Sequence, residues 1–122
     1  MEKKTHVLEK NGILIKRQFK GGAERKDDFS VAEIDSIINY VNKNGKCSLA
    51  NNVQTLRKGT EKEGLGKFVY ENSNKDTTRA QAVSQLVAIF VWSGIFGYNG
   101  VKRGMEFWVL DYKWKDKIKN FI

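Results

Sequence analysis

The chain has no proline, one cysteine (Cys47) and one histidine (His6), and it is short of acids, with 14 Asp and Glu against 22 Lys and Arg. Without proline, turns fall to Gly, Asn and Asp. A lone cysteine cannot close an internal disulfide and fits a reducing compartment, so a cytoplasmic location is expected. One His and one Cys leave no zinc site of ordinary composition. Ser-His-Asp chemistry would depend on His6, close to the first residue. No apolar run approaches the roughly 18–20 residues that span a bilayer. The longest, Leu86–Trp92, is far too short, so no membrane partner is expected. The opening Met1-Glu2-Lys3-Lys4 leads into no apolar segment, and no secretory signal is expected.

What is abundant is positive charge. The net charge is +8 and the isoelectric point is near 9.6, values common in proteins that meet polyanions. The ends carry it: residues 77–122 hold seven basic and three acidic groups, whereas residues 29–76 hold seven and six. At 122 residues, with 40% hydrophobic content, the chain suits one domain, or one domain with an arm.

Residues 5–19 predict a hairpin. Val7-Leu8 and Ile13-Leu14-Ile15 flank Asn11-Gly12, a pair suited to the positive φ of a tight turn. Residues 20–28 have almost no apolar content and predict a basic linker, so the expected division is 1–28 (hairpin and linker) and 29–122 (main domain). The clearest local pattern follows. Ser30 and Glu33 form a capping box, Phe29 and Ile34 a hydrophobic staple. Ile34, Ile37, Ile38 and Val41 repeat on one helical face up to Asn44-Gly45, predicting a helix over 31–43. Residues 46–49 suit a short extended segment. Val53 and Leu56 fit a single helical turn, but Lys58–Glu63 is solvent-like and leaves that stretch unassigned; Leu65, Phe68 and Val69 suit a short helix near 61–72, which Gly64 and Gly66 weaken. Asp76 or Thr77 caps a long helix, 77–93, that Gly94 ends. Ile95–Tyr98 and Met105–Leu110 predict a two-stranded ribbon, with Val101-Lys102-Arg103-Gly104 as its basic tip. Trp114, Ile118, Phe121 and Ile122 mark one face of an amphipathic C-terminal helix.

The stretch Arg79–Val87, Ser93-Gly94-Ile95-Phe96-Gly97-Tyr98, Lys102-Arg103-Gly104 and Phe107–Leu110 resembles the recognition-helix-plus-wing segment of winged helix-turn-helix domains. The resemblance covers about residues 30–110. It implies an α+β fold, with a winged-helix-like three-helix core and a C-terminal β-ribbon wing. To this the chain adds the N-terminal β-hairpin and the C-terminal amphipathic helix. The long, glycine-containing segment 50–76 departs from the compact second helix and tight turn of that motif.

Helix 77–93 carries Thr78, Arg79, Gln81, Ser84 and Gln85 in its first turns. Arg can pair bidentately with guanine and Gln with adenine in the major groove. Lys102 and Arg103 at the ribbon tip suit the DNA backbone or the minor groove, and Lys16, Arg17 and Lys20 suit further phosphate contacts. Other chemistries fit poorly. Gly64-Leu65-Gly66-Lys67 is similar to a phosphate loop, but Leu65 stands where the nucleotide-binding pattern requires Lys. Asp27-Asp28 and Glu61/Glu63 lie in lysine-rich runs and suit solvated surface. The expectation is a non-enzymatic, cofactor-free protein that binds double-stranded DNA, such as a small transcriptional regulator or mobile-element accessory. The rival expectation is a protein-interaction module that docks onto or inhibits a nucleic-acid-handling enzyme. A third is single-strand or RNA binding by the aromatics after residue 95. Met105–Leu110 carries apolar bulk on both faces, to be covered by the C-terminal helix or a partner, and a homodimer through that helix is a further expectation.

Overall fold

The computed structural model describes residues 3–9, 12–18 and 24–119, with side chains over 12–16 and 26–118. The fold is mixed α+β. Strands β1 (Lys3–Glu9), β2 (Gly12–Gln18) and β3 (Glu24–Ser30) lead into α1 (Val31–Asn44). Then come β4 (Cys47–Ser48), α2 (Val53–Lys58), α3 (Leu65–Glu71) and α4 (Thr77–Trp92). Strands β5 (Phe96–Tyr98) and β6 (Glu106–Val109) and helix α5 (Trp114–Lys119) complete it. Two antiparallel sheets result, in orders β1-β2-β3 and β4-β6-β5. Among the described residues no helix is long and apolar enough to cross a membrane.

Helix α1 forms as its local sequence dictates. Ser30 Oγ accepts from the Glu33 amide at 3.1 Å, and Glu33 Oε1 accepts from the Ser30 amide at 3.2 Å. Ile34, Ile37, Ile38 and Val41 are buried on one face, and Gly45 ends the helix at φ 74°. The long helix α4 is capped by Asp76, whose Oδ1 accepts from the Thr78 and Arg79 amides. It buries Ala80, Ala82, Val83, Leu86, Val87 and Phe90, a band wide enough to make it the central core helix.

The linker expected over 20–28 is corrected in part: residues 24–28 belong to β3. Nothing apolar in Glu24-Arg25-Lys26-Asp27-Asp28 announces a strand; pairing with β2 over Gly12↔Ser30 through Gln18↔Glu24 makes it one. Asp27, expected in solvent with Asp28, is buried opposite Ile15, whereas Asp28 is exposed. Ile13, Ile15 and Phe29 join Ile34, Leu86, Phe90, Phe96, Phe107, Trp114 and Ile118 in one apolar cluster. Each such side chain contributes about 1.5–3 kcal/mol on burial.

The start of α3 explains the glycines at 64 and 66. The Gly66 amide donates to Leu49 O at 2.6 Å, and a Cβ there would stand 2.5 Å from Ala50 O. A Cβ on Gly64 would meet Ser48 O at 2.6 Å. These glycines let α3 lie against the backbone of 48–51. Helix α5 buries Trp114 and Ile118 in the same core, and Trp114 Nε1 donates to Asp35 Oδ1 at 2.9 Å. Those two residues of the face expected to pair chains are thereby covered by their own chain. Phe121 and Ile122 lie outside the described residues.

Candidate nucleic-acid interface

The exposed stripe of α4 runs through Thr78, Gln81, Ala88 and Trp92. Ser84 and Gln85 are half-buried and engaged locally: Ser84 Oγ donates to Gln81 O at 2.8 Å, and Gln85 Nε2 donates to Ser84 Oγ at 3.4 Å. Of the residues expected to face bases, Thr78 and Gln81 project most freely.

Arg79 departs from its expected role. Its guanidinium donates from Nη1 to the carbonyl of Asp28 and from Nη2 to Glu33 Oε2, and it lies 4.4 Å over the Phe29 ring. Its side chain is only 19% exposed. The physical reason is that the first turn of α4 abuts the β3–α1 junction. There a carbonyl, a carboxylate and an aromatic face meet a planar five-donor group. Arg79 is therefore reassigned from base reading to clasping α4 onto that junction.

The ribbon tip is outward. Lys102 and Arg103 are exposed and, among the described residues, hold no ion pair. The connection 99–105 is closed by Asn99, whose amide donates to Glu106 O and whose Nδ2 donates to Gly104 O, both at 3.0 Å. Gly100 and Gly104 sit at φ 82° and 77°. Asn99 and Gly100 thus anchor a longer basic loop.

Lys16 is half-buried in β2 and pairs in register with Thr5 and Lys26. Arg17 sits opposite Lys4 on one side and Arg25 on the other, so three basic positions form a row across the sheet. Lys20 lies outside the described residues.

Recesses flank these elements among the described residues. An apolar groove of about 300 Å³ between α1 and α3 is lined by Phe29, Ala32, Ile37, Phe68 and Val69, with Glu33 at its edge. A second cleft, about 470 Å³, opens between α2 and α3 and is lined by Arg57, Lys58, Lys67, Tyr70 and Lys75, with Glu61 and Glu71. Arg57 and Lys58 are adjacent in α2 whereas Lys75 follows α3, and the packing of Leu56 with Tyr70 and Ala80 brings the pair and Lys75 together. Cys47 is buried, and desolvation pushes its thiol up to about 11 despite a backbone hydrogen bond from Leu65. It is unsuited to nucleophilic work. Among the described residues no group of three His, Cys, Asp or Glu could hold a metal ion. No protein-family model matches the chain, and neither a curated protein nor a solved structure matches it.

Proposed function

We propose that the chain is a winged-helix-like protein that binds duplex DNA. Thr78 and Gln81 of α4 would meet base edges in the major groove, and the Lys102-Arg103 tip would meet the backbone. The observation that carries the reading is the chain path. The order α1-β4-α2-α3-α4-β5-β6, with β6 between β4 and β5, supports it: set α2 aside as an added short helix, and three helices precede a two-stranded ribbon, the order expected of a winged helix. Helices α3 and α4 pack together across the intervening residues 72–76, as a helix-turn-helix requires, although this turn exceeds the usual 3–4 residues. Gln81 can pair bidentately with adenine, and Thr78 can reach either a base edge or a thymine methyl.

The test is anisotropy titration of labelled random-pool duplexes at two salt concentrations. Affinity is expected to fall steeply with salt, and replacing Lys102 and Arg103 by Ala to reduce the log–log salt slope by about 1 per lost phosphate contact. Gln81→Ala is expected to relax preference among selected duplexes. Absent or salt-insensitive binding refutes the reading.

The groove between α1 and α3 favours a second reading, a protein-interaction module, because apolar recesses of this kind suit a partner side chain. Saturable binding to a protein partner without duplex affinity would select it.

A further inference from the structure

We propose that the cleft between α2 and α3 is a seat for a phosphate group, independent of what α4 and the ribbon do. The argument begins with a phenol. Tyr70 is 9% exposed and lines the cleft, and its ring packs with Leu56 and Ala80. Its hydroxyl makes no hydrogen bond among the described residues. A buried tyrosine hydroxyl normally finds a partner, so on the proposed reading this one donates to the group seated in the cleft.

The charge around it selects the acceptor. Arg57, Lys58 and Lys75 line the same cleft and, among the described residues, hold no ion pair. Lys67 is bound to Glu63 at 2.8 Å and contributes less. Of the two acids, Glu61 is occupied by its own loop: Oε2 accepts from the Asn52 amide at 2.9 Å and Thr55 Oγ at 2.8 Å, and Oε1 from the Lys62 amide at 2.9 Å. That leaves Glu71 as the opposing carboxylate against three free cations. Lys75 is fixed there by backbone: it stands at φ 59° after Asn74 at φ 56°, and its amide donates to Tyr70 O at 2.9 Å. A guanidinium, two ammonium groups and a hydroxyl, all donors, suit a compact tetrahedral oxyanion better than a carboxylate or a neutral ligand. The cleft volume is ample for one.

The source of the phosphate is a DNA backbone or a free phosphorylated small molecule, and the experiment separates them. Inorganic phosphate is titrated into the full ¹⁵N-labelled chain, with sodium chloride of matched ionic strength as the control. Saturable shifts are expected at the amides of Arg57, Lys58, Gly59 and Lys75 with phosphate and not with chloride. Tyr70→Phe keeps the ring in its apolar cluster and is expected to weaken phosphate binding roughly tenfold. The Arg57→Gln, Lys75→Gln double variant is expected to weaken it by about the same factor. Absence of saturable shifts, or shifts unmoved by both variants, overturns the proposal. A short duplex is then added to the same sample. Duplex-induced shifts at the same amides, competed by phosphate, identify the backbone as the source. Shifts with phosphate alone identify a small molecule and leave the seat intact even where duplex binding fails.

Discussion

Replacing Arg79 with Ala separates two roles that sequence alone would merge. In the structure the guanidinium stacks on Phe29, donates to the Asp28 carbonyl and pairs with Glu33. The ring contact contributes about 0.5–1 kcal/mol. The carbonyl hydrogen bond contributes about 1 kcal/mol. Glu33 is 47% exposed, so water screens the ion pair and limits it to about 0.5–1 kcal/mol. Arg79→Ala should therefore cost about 2–3 kcal/mol of folding stability. With a urea slope of about 1–3 kcal/mol per molar for a domain of this size, the unfolding midpoint should fall by about 1 M. Arg79→Lys, which keeps the charge and loses the planar fork, should fall between. Circular dichroism under urea supplies the curves, and duplex titration of the folded variants supplies the comparison. An unchanged midpoint together with lost duplex affinity would refute the clasp and return Arg79 to base reading.

Three further outcomes follow from the packing. Gly66→Ala should lower the melting temperature: helix propensity favours Ala by up to about 1 kcal/mol, but a Cβ 2.5 Å from Ala50 O forces a backbone shift costing about 1–3 kcal/mol and strains the bond to Leu49. A raised melting temperature in calorimetry would contradict this. Cys47 should react with an aromatic disulfide reagent at pH 8 only after denaturation, because burial pushes its thiol up to about 11 and leaves a thiolate fraction on the order of 10⁻³. For Glu61, burial raises the carboxyl pKa, but hydrogen bonds from Thr55 and from the Asn52 and Lys62 amides outweigh it and hold the value below normal. Its stabilisation is thus present above the unfolded value of about 4.3 and is lost as pH falls through the lower folded value. Glu61→Gln should flatten the acid side of the stability–pH curve, and an unchanged acid limb would count against that assignment.

Elements specified by neighbours in sequence could be read directly. Ser30, Glu33 and the isoleucines of α1 lie within a dozen positions of one another, and Asp76 and Gly94 bracket α4 in the same local way. Strand β3 could not be read, since its polar residues become a strand only through a ladder to β2. Nor could the orientation of Arg79, whose carboxylate partner is 46 positions away. Periodicity gave it a polar helix turn and was silent on what that turn would touch. The α2–α3 cleft was hidden for a similar reason. Arg57 and Lys58 in one helix, and Lys75 after the next, look like ordinary solvated lysines and arginine until Leu56 meets Tyr70.

The shared core of the two sheets governs how the chain can be divided. Ile13, Ile15 and Phe29 form a wall against which Ile34, Ile37 and Phe90 are sealed from water. Cutting at residue 29, where the charge pattern invites it, would unroof that interior. The freed piece would carry the ribbon and α4 intact in sequence, yet sticky, prone to self-association and poorly suited to any measurement of nucleic-acid affinity.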